Sequence, residues 1–152
     1  MKKFFNLMLV IALAIGFVSC EKELSDGDYQ NKLVGKWSMT SVNMTLSAMG
    51  YSQSSSMAFP NEAYDALILE FKQGGTLVTT SIYNGEPEVS TNKYLVSGGN
   101  LIIGSTYDGE DETYSMAITS ISDKNLTLQM NQSSTEDGVS ATLSVTMNLA
   151  KL

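Results

Sequence analysis

The segment VSATLSVTMNL, residues 139–149, alternates apolar and polar side chains at every position. Its even positions hold only Ser, Thr and Asn, while its odd positions are Val139, Ala141, Leu143, Val145, Met147 and Leu149. Because successive side chains of a β-strand point to opposite faces, this period of two predicts a strand with one face in the core and the other in water.

Shorter segments with the same period precede it. Their predicted inward sets are Leu67, Leu69 and Phe71; Tyr94 and Val96; Leu101 and Ile103; Tyr114, Met116 and Ile118; and Leu126, Leu128 and Met130. In residues 76–83 the choice stays open, since the odd set that begins at Leu77 and the even set that begins at Val78 compete for the interior.

One segment changes its period. In residues 36–46 the apolar positions are odd at Trp37 and Met39 but even from Val42 onward. A β-bulge inserts one extra residue into a strand, so a bulge or sharp bend near Thr40-Ser41 would bring both sets to the same face.

Compact turn sequences connect these segments. They are Gln73-Gly74-Gly75, Asn84-Gly85, Ser97-Gly98-Gly99-Asn100, Asp108-Gly109, Ser122-Asp123-Lys124-Asn125 and Asp137-Gly138. Asn-Gly, Asp-Gly and Gly-Gly pairs provide the positive φ angles of tight hairpins. The sequence therefore predicts an all-β fold, an eight-stranded antiparallel up-and-down (meander) barrel, whose closure removes the exposed edges of an open sheet. The one long connection, Ser47 to Ala63, is the predicted place of a lid.

The first 19 residues have the pattern of an export signal. Lys2 and Lys3 precede an apolar run from Phe4 to Val18, and Cys20 follows directly after Ser19. The run is shorter than the roughly 20 residues that cross a bilayer, which favours a cleaved signal peptide over a permanent span. The predicted organisation is a signal peptide at 1–19, an acidic tether at 20–32 and a barrel domain at 33–152.

Phe17-Val18-Ser19-Cys20 resembles the lipobox of bacterial lipoproteins. That resemblance implies that Cys20 receives a diacylglycerol, becomes the mature N-terminus and gains a further acyl chain such as palmitate; two or more chains anchor a protein stably in a membrane. An ordinary signal peptide beside a lone Cys is the alternative. Glu21, rather than Asp, follows Cys20, so we expect the outer membrane of the cell envelope, facing either the periplasm or the cell surface.

Composition excludes several functions. Loss of Lys2 and Lys3 leaves 7 Lys, no Arg and 16 acidic residues, a net charge of −9 that disfavours nucleic-acid binding. The chain has no His, and its single Cys is assigned to lipidation, so we predict no catalytic residues, no enzyme activity and no cofactor. Two acidic clusters, Asp26-Gly27-Asp28 and residues 108–112, offer oxygen ligands for calcium, but neither has EF-hand spacing. We predict that the first belongs to a solvated tether, that the second is a charged hairpin tip, and that neither binds a metal.

Leu33-Val34-Gly35-Lys36-Trp37 follows a lead-in, residues 29–32, that fits one helical turn. It is similar to the lipocalin signature, which implies that a turn of 3-10 helix closes the barrel's base near Gly35 and that Trp37 plugs it or, alternatively, forms a ligand floor. Lipocalins usually stack an Arg over this Trp; the chain has none, and Lys151 is the candidate substitute. Residues 70–76, 94–101 and 118–128 resemble the lipocalin-like domains of Bacteroidetes lipoproteins.

Two functions from different classes remain open. In the first, the barrel binds a small apolar or amphipathic ligand, with candidate contacts Leu69, Phe71, Leu77, Tyr94, Val96, Met116, Ile118, Met130 and Val145. In the second, these residues fill the core, and the barrel is a scaffold or accessory protein of a cell-envelope assembly. The protein partner is not identified in either case.

Overall fold

The alternating segments form strands in a computed structural model that describes residues 24–107, 110–136 and 138–152. Within these ranges one helix, α1 (Asp26–Leu33), precedes nine strands: β1 (Gly35–Ala48), β2 (Tyr51–Ala58), β3 (Ala66–Lys72), β4 (Thr76–Tyr83), β5 (Glu86–Ser97), β6 (Asn100–Tyr107), β7 (Glu110–Ile121), β8 (Asn125–Glu136) and β9 (Val139–Lys151). The segment at 139–149 is therefore a strand, as predicted.

Strand pairing closes the sheet into a ring. From β3 to β9 each strand pairs with the next in antiparallel order, and β1 pairs with both β3 and β9. The predicted eight-stranded antiparallel barrel is confirmed, with β2 as one additional strand beside β1. We call the end that carries α1 the closed end, and the end with the β1–β2 and β4–β5 turns the open end.

Strand β2 corrects the prediction of a long connection at Ser47–Ala63. Most of that segment belongs to a hairpin, with Tyr51–Ala58 paired to Ser41–Ala48. Its serines bond to polar side chains of β1: Ser54 to Thr45 at 2.9 Å, Ser52 to Ser47 at 3.1 Å, and Ser56 to Asn43 at 2.7 Å. A serine-rich segment can therefore be a strand when its hydroxyls find partners on the neighbouring strand.

The same edge of β1 has two different neighbours. Near the closed end, Gly35–Ser38 pairs with β3, whereas from Ser41 onward β1 pairs with β2. The first two residues of β3, Ala66 and Leu67, pair with β4 alone. We call this divergence of β2 from β3, connected by residues 59–65, the fork.

The predicted bulge in β1 is confirmed. The register between β1 and β9 shifts between Met39 and Ser41, so Met39 lies opposite Leu149 but Val42 lies opposite Met147. The Thr40 hydroxyl at the shift donates to the Asn148 carbonyl at 2.9 Å. The extra residue places Val42, Met44 and Leu46 on the same inner face as Trp37 and Met39.

Packing decides which set of β4 side chains, odd or even, faces the interior. Leu77 is 2% exposed and lies opposite Phe71, which is also buried. The odd set of β4 therefore faces the interior. In the turn that follows, Asn84 and Gly85 both have positive φ, as the Asn-Gly pair predicts for a type I′ hairpin.

Helix α1 packs under the barrel. Ser25 and Asp28 form a reciprocal capping box at its start, which satisfies backbone donors that the first turn leaves free. Leu33 is fully buried and Tyr29 packs against the core cluster. The predicted single turn of 3-10 helix at residues 29–32 is wrong in type and length, since eight residues are α-helical, and the domain boundary predicted at residue 32 falls inside this helix.

The core occupies the closed half of the barrel. Fifteen hydrophobic side chains are buried, and among the residues that the structure describes no buried side chain is polar. No helix in the described ranges is both long and apolar enough to cross a membrane.

Candidate functional site

Trp37 lies at the closed end. Its side chain is fully buried, and its indole Nε1 donates to the Leu33 carbonyl at 2.7 Å, which ties the first strand to the last turn of α1. Because the ring is buried and its one polar atom has a hydrogen-bond partner, this residue stabilises the closed end. Trp37 therefore lies buried at the closed end, and its role as a plug rather than a ligand floor remains a prediction.

Lys151, the candidate substitute for a stacked Arg, lies over Trp37. Its Nζ lies 4.9 Å from the centroid of the Trp37 ring and donates to the Lys32 carbonyl at 3.3 Å. Gly35 makes room for it: the backbone has φ 129° there, and a Cβ would meet Lys151 Cε at 3.0 Å. Gly35, Trp37 and Lys151 therefore act together to close the base.

Exposure of the inward-facing side chains rises from the closed end to the open end. On β1 it rises from 4% at Met39 to 51% at Leu46; on β7, from 7% at Met116 to 46% at Tyr114. On β4 it rises from 2% at Leu77 to 55% at Tyr83. The inner face is thus packed at one end and accessible to solvent at the other, which is the geometry of a cup.

The nine predicted ligand contacts all face the interior. Eight are less than 9% exposed, and Met130 is partly buried. Seven belong to the central core cluster and Met130 packs against it. Five of the nine are 6–8% exposed: Leu69, Val96, Met116, Ile118 and Val145. Contact between the nine residues and a ligand remains a prediction.

Tyr94 connects two sides of this interior. Its ring packs edge-on against Phe71, with centroids 5.1 Å apart, and its hydroxyl donates to the Lys72 carbonyl at 3.0 Å. Burial raises the pKa of the Tyr94 hydroxyl, because the ionised form would lose solvation. Tyr94 is therefore a neutral hydrogen-bond donor at physiological pH.

Toward the open end, the inward positions of β5 and β7 include acidic residues. Glu86 and Glu88 have the same parity on β5 as the buried Tyr94 and lie opposite Tyr83 and Ser81 of β4. The Tyr114 hydroxyl donates to Glu112 on β7; this hydrogen bond, then the charge of Glu112, then burial raise the pKa of Tyr114. Because the described β5–β6 pairing ends at Lys93 and Gly104, these carboxylates and tyrosines lie on two separate hairpins at the open end, β4–β5 and β6–β7.

Aromatic rings line the fork. Phe59 packs against the core cluster, and its ring centroid lies 6.1 Å from that of Tyr64; Tyr64 in turn lies 6.3 Å from Tyr83, edge to face. The Asn61 side chain holds this loop by accepting from the amides of Ala63 and Tyr64. Apolar surface therefore continues from the core to the open end along one side.

These upper residues are absent from the sequence-based list of contacts. The prediction stopped following β5 and β7 where their hydrophobic residues end. However, Glu88 lies on the same face of β5 as Tyr94, and Glu112 lies on the same face of β7 as Tyr114. Extending the alternation into polar residues would have identified them. Phe59 and Tyr64 carry no periodic signal, because they lie in the loop of the fork.

Two surface clefts are lined by described residues. One, of about 350 Å³, lies at the β1–β2 turn between residues 47–52 and Ser140 and Thr142. The other, of about 230 Å³, lies between α1 and the β3–β4 turn. Neither contains any of the nine predicted contacts. No group of three His, Cys, Asp or Glu in the described ranges is arranged to hold a metal.

Cys20, the predicted lipidation site, and the signal peptide at 1–19 lie outside the described residues. The same is true of the predicted turn Asp108-Gly109 and of Asp137.

The closed eight-stranded ring, with a buried aromatic residue at one end and open at the other, defines a class of small antiparallel barrels. Within that class the sequence matches the lipocalin-like domain over residues 33–128, more than half of the chain. The chain belongs to the lipocalin-like domain family.

A solved structure agrees with this fold. The barrel is similar to insecticyanin from the tobacco hornworm Manduca sexta, with a TM-score of 0.56 and 7% identity over 82% of this chain and 65% of that one. This chain thus spans less than two thirds of insecticyanin, and at that identity the similarity concerns the fold alone. The YwiB protein of Bacillus subtilis aligns at a TM-score of 0.30 with 10% identity, covering 74% of this chain and 90% of its own. No curated protein sequence matches the chain.

Proposed function

We propose that this protein is a lipid-anchored lipoprotein of the bacterial outer membrane whose barrel binds a small apolar or amphipathic ligand through its open end. The observation that carries the binding role is the rise in exposure of inward-facing apolar side chains, from 4% at Met39 to 51% at Leu46 along one strand. A barrel filled along its whole length would keep these side chains buried at both ends. Half-exposed apolar groups on a concave face are what a ligand of this kind can cover.

The hydrophobic contribution to ligand binding can be estimated from the apolar area that a ligand would cover. Covering apolar surface contributes about 25 cal/mol per Å², so a ligand that buries on the order of 200 Å² of the inner face gains roughly 5 kcal/mol before entropic costs. A gain of that size corresponds to a Kd of about 0.2 mM, so tighter binding requires a larger buried area or polar contacts in addition.

The binding test uses a neutral fluorescent probe, N-phenyl-1-naphthylamine, with two matched variants. Leu46 and Leu95 are both 51% exposed, but Leu46 faces inward and Leu95 faces outward on β5. We expect saturable fluorescence enhancement with the natural sequence, a several-fold weaker Kd for Leu46→Ser, and an unchanged Kd for Leu95→Ser. Absence of saturable enhancement contradicts the proposal.

Anchoring rests on the sequence of the leader, the lipobox-like Phe17-Val18-Ser19-Cys20. Mass spectrometry of the protein purified from its own membranes is expected to find an N-terminal peptide that begins at acylated Cys20, and a small molecule purified with it. An N-terminal peptide that begins elsewhere, or at an unmodified Cys20, contradicts the anchor. Protease treatment of intact cells then separates the two orientations, because only a surface-facing domain is digested.

A role in binding rather than catalysis fits the chemistry of the chain, which has no His and one Cys. The alternative function, a filled scaffold for an envelope assembly, is favoured by the packing of the closed half, where eight large side chains are essentially inaccessible. It predicts no probe binding, together with a protein partner that is recovered from solubilised membranes.

A further inference from the structure

We propose that the outer edge of β2, the edge away from β1, pairs with the same edge of a second copy of this chain, in antiparallel order about a two-fold axis at Ser54. The pairing goes beyond the proposed binding function and does not depend on it. Three features of β2 support it: the backbone groups that lack partners, the order of residues along the strand and the distribution of charge.

The outer edge of β2 is unpaired. Within the described residues β2 pairs with β1 alone, and all eight of its residues are exposed. The Phe59 amide, which follows β2, donates to the Thr40 carbonyl of β1 at 3.0 Å. Because the backbone groups of successive residues point to opposite edges of a strand, Ser52, Ser54 and Ser56 direct their amides and carbonyls away from β1. These groups have no hydrogen-bond partner in the described part of the chain.

Asn61 determines where this available edge ends. Its side-chain Nδ2 donates to the Ala58 carbonyl at 2.8 Å, so that carbonyl, which also points away from β1, already has a partner. The residues with free backbone groups are then Ser52, Ser54 and Ser56, evenly spaced about Ser54. An antiparallel pairing centred there uses all of them, since Ser54 pairs with Ser54 of the partner subunit and Ser52 pairs with the partner's Ser56.

The order of residues in β2 suits a two-fold axis. The segment YSQSSSM, residues 51–57, has a large apolar residue at each end, and its serines at 52 and 56 are symmetric about Ser54. Pairing about Ser54 places Tyr51 opposite the partner's Met57, and in the single copy these side chains are 81% and 40% exposed. A thioether beside an aromatic ring is a favourable contact. The strand is therefore complementary to itself, as a two-fold interface requires.

Charge also favours this edge for contact between copies. The chain has a net charge of −7, which makes copies repel one another, but residues 37–61 contain no charged residue. The upper part of β5 is also left unpaired by β6, and it begins with Glu86, Pro87 and Glu88. Charged residues and proline on an edge strand prevent pairing with another chain. Strand β2 contains neither.

The expected assembly is a closed dimer. One edge of β2 is occupied by β1 and the other would be occupied by the partner, so neither edge of this strand is left for a third copy. The pairing involves only residues 51–57 of each copy, which is a small interface, and we expect a weak dimer with a Kd on the order of 10–100 µM.

A cysteine on the axis tests the pairing. Opposite residues of a hydrogen-bonded antiparallel pair have Cα atoms about 5.5 Å apart, a distance that a disulfide spans. In intact cells under mild oxidation, we expect the full chain with Ser54→Cys to form a disulfide-linked dimer, and Ser90→Cys, at an exposed serine of β5, to stay monomeric. No cross-link of Ser54→Cys, an equal cross-link of Ser90→Cys, or a cross-link of Ser54→Cys to a different protein overturns the proposal.

The register is tested with cysteines on either side of the axis. Two copies of Ser52→Cys would lie roughly 14 Å apart along the strands, too far for a disulfide, so this variant alone should not cross-link. Coexpressed copies of Ser52→Cys and Ser56→Cys should cross-link to each other. Cross-linking of Ser52→Cys alone, without the mixed dimer, overturns the axis at Ser54.

A charge on the axis should weaken the dimer. Ser54→Lys places two like charges opposite each other, and we expect a Kd about tenfold weaker than that of the natural sequence, whereas Ser90→Lys should leave the Kd unchanged. Sedimentation velocity of the purified full chain in mild detergent measures both, and urea unfolding shows whether each barrel is intact. A natural sequence that stays monomeric, growth beyond the dimer, or an unchanged Kd for Ser54→Lys overturns the proposal. If Ser54→Lys does not fold, the cysteine cross-links decide.

Discussion

The closed and open ends of the barrel use the same strands for different purposes. At the closed end, Trp37, Phe71 and Leu128 are at most 1% exposed, and the indole nitrogen has a partner in α1. At the open end, Leu46, Tyr83 and Tyr114 continue the same inner face at 46–55% exposure. The comparison indicates that stability is concentrated at the closed end and depends little on the side chains at the open end.

The largest contrast should come from truncating one inward side chain at each end. Trp37→Ala removes a fully buried ring and is expected to lower the free energy of unfolding by about 3–5 kcal/mol. Leu46→Ala, at 51% exposure, is expected to cost less than about 1 kcal/mol. Urea unfolding followed by circular dichroism measures both. Equal losses would break the contrast between the ends.

The next effect concerns the space that Gly35 leaves for Lys151. Gly35→Ala places a Cβ 3.0 Å from Lys151 Cε on a backbone with φ 129°, and we expect a loss of about 1–3 kcal/mol. Gly104→Ala is the matched control, because nothing lies within 4 Å of a Cβ there and its φ is not in the positive range. A control that loses as much stability as Gly35→Ala would contradict the role given to the base.

Alkaline pH should weaken the packed half through Tyr94. Its pKa is raised above 10.0 in the folded protein, so this contribution to stability is fully present below pH 10.0 and is lost as pH rises through the raised pKa. Tyr94→Phe should reduce that alkaline loss while costing about 1 kcal/mol at neutral pH, because the hydrogen bond to Lys72 is removed. Urea unfolding at pH 8 and above pH 10 compares the two proteins. An identical alkaline loss in both would rule out Tyr94 as its source.

The smallest expected effect is that of the cation over Trp37. Lys151→Met keeps most of the side chain's length but removes the charge 4.9 Å from the ring, with an expected loss of about 0.5–1 kcal/mol. Lys93→Met makes the same change on the outer face of β5 and should alter stability by less than about 0.5 kcal/mol. Thermal unfolding measures the stability of both variants, and equal losses for Lys151→Met and Lys93→Met would contradict a stabilising contact between Lys151 and Trp37. Lys151→Arg should retain or increase stability.

Periodicity predicted the packed half of the molecule well. The inner set of β9, the bulge near Thr40 and the interior position of Phe71 all follow from hydrophobic spacing, because that spacing reflects burial. Lys151 over Trp37 was reached through a resemblance rather than through periodicity.

The open half was harder to predict for a physical reason. Its inner face is solvent-exposed, so glutamate, serine and asparagine occupy inward positions and the hydrophobic signal stops before the strand does, as in β5 between Glu86 and Asn92. Strand β2 was mistaken for a loop because its cross-strand partners are hydroxyls. The residues of the candidate site therefore lie where periodic reasoning is weakest.

The fork makes the ring asymmetric. The ring closes through four residue pairs between β1 and β3, compared with eleven between β1 and β9. Above Ser38 the gap between β1 and β3 is bridged by the loop of residues 59–65, in which the Phe59 amide donates to the Thr40 carbonyl at 3.0 Å and the Asp65 amide donates to the Ile82 carbonyl at 2.8 Å. On this side, the circumference of the open end is therefore set by a loop, so an insertion or deletion in residues 59–65 would change the width of that end without altering the paired base.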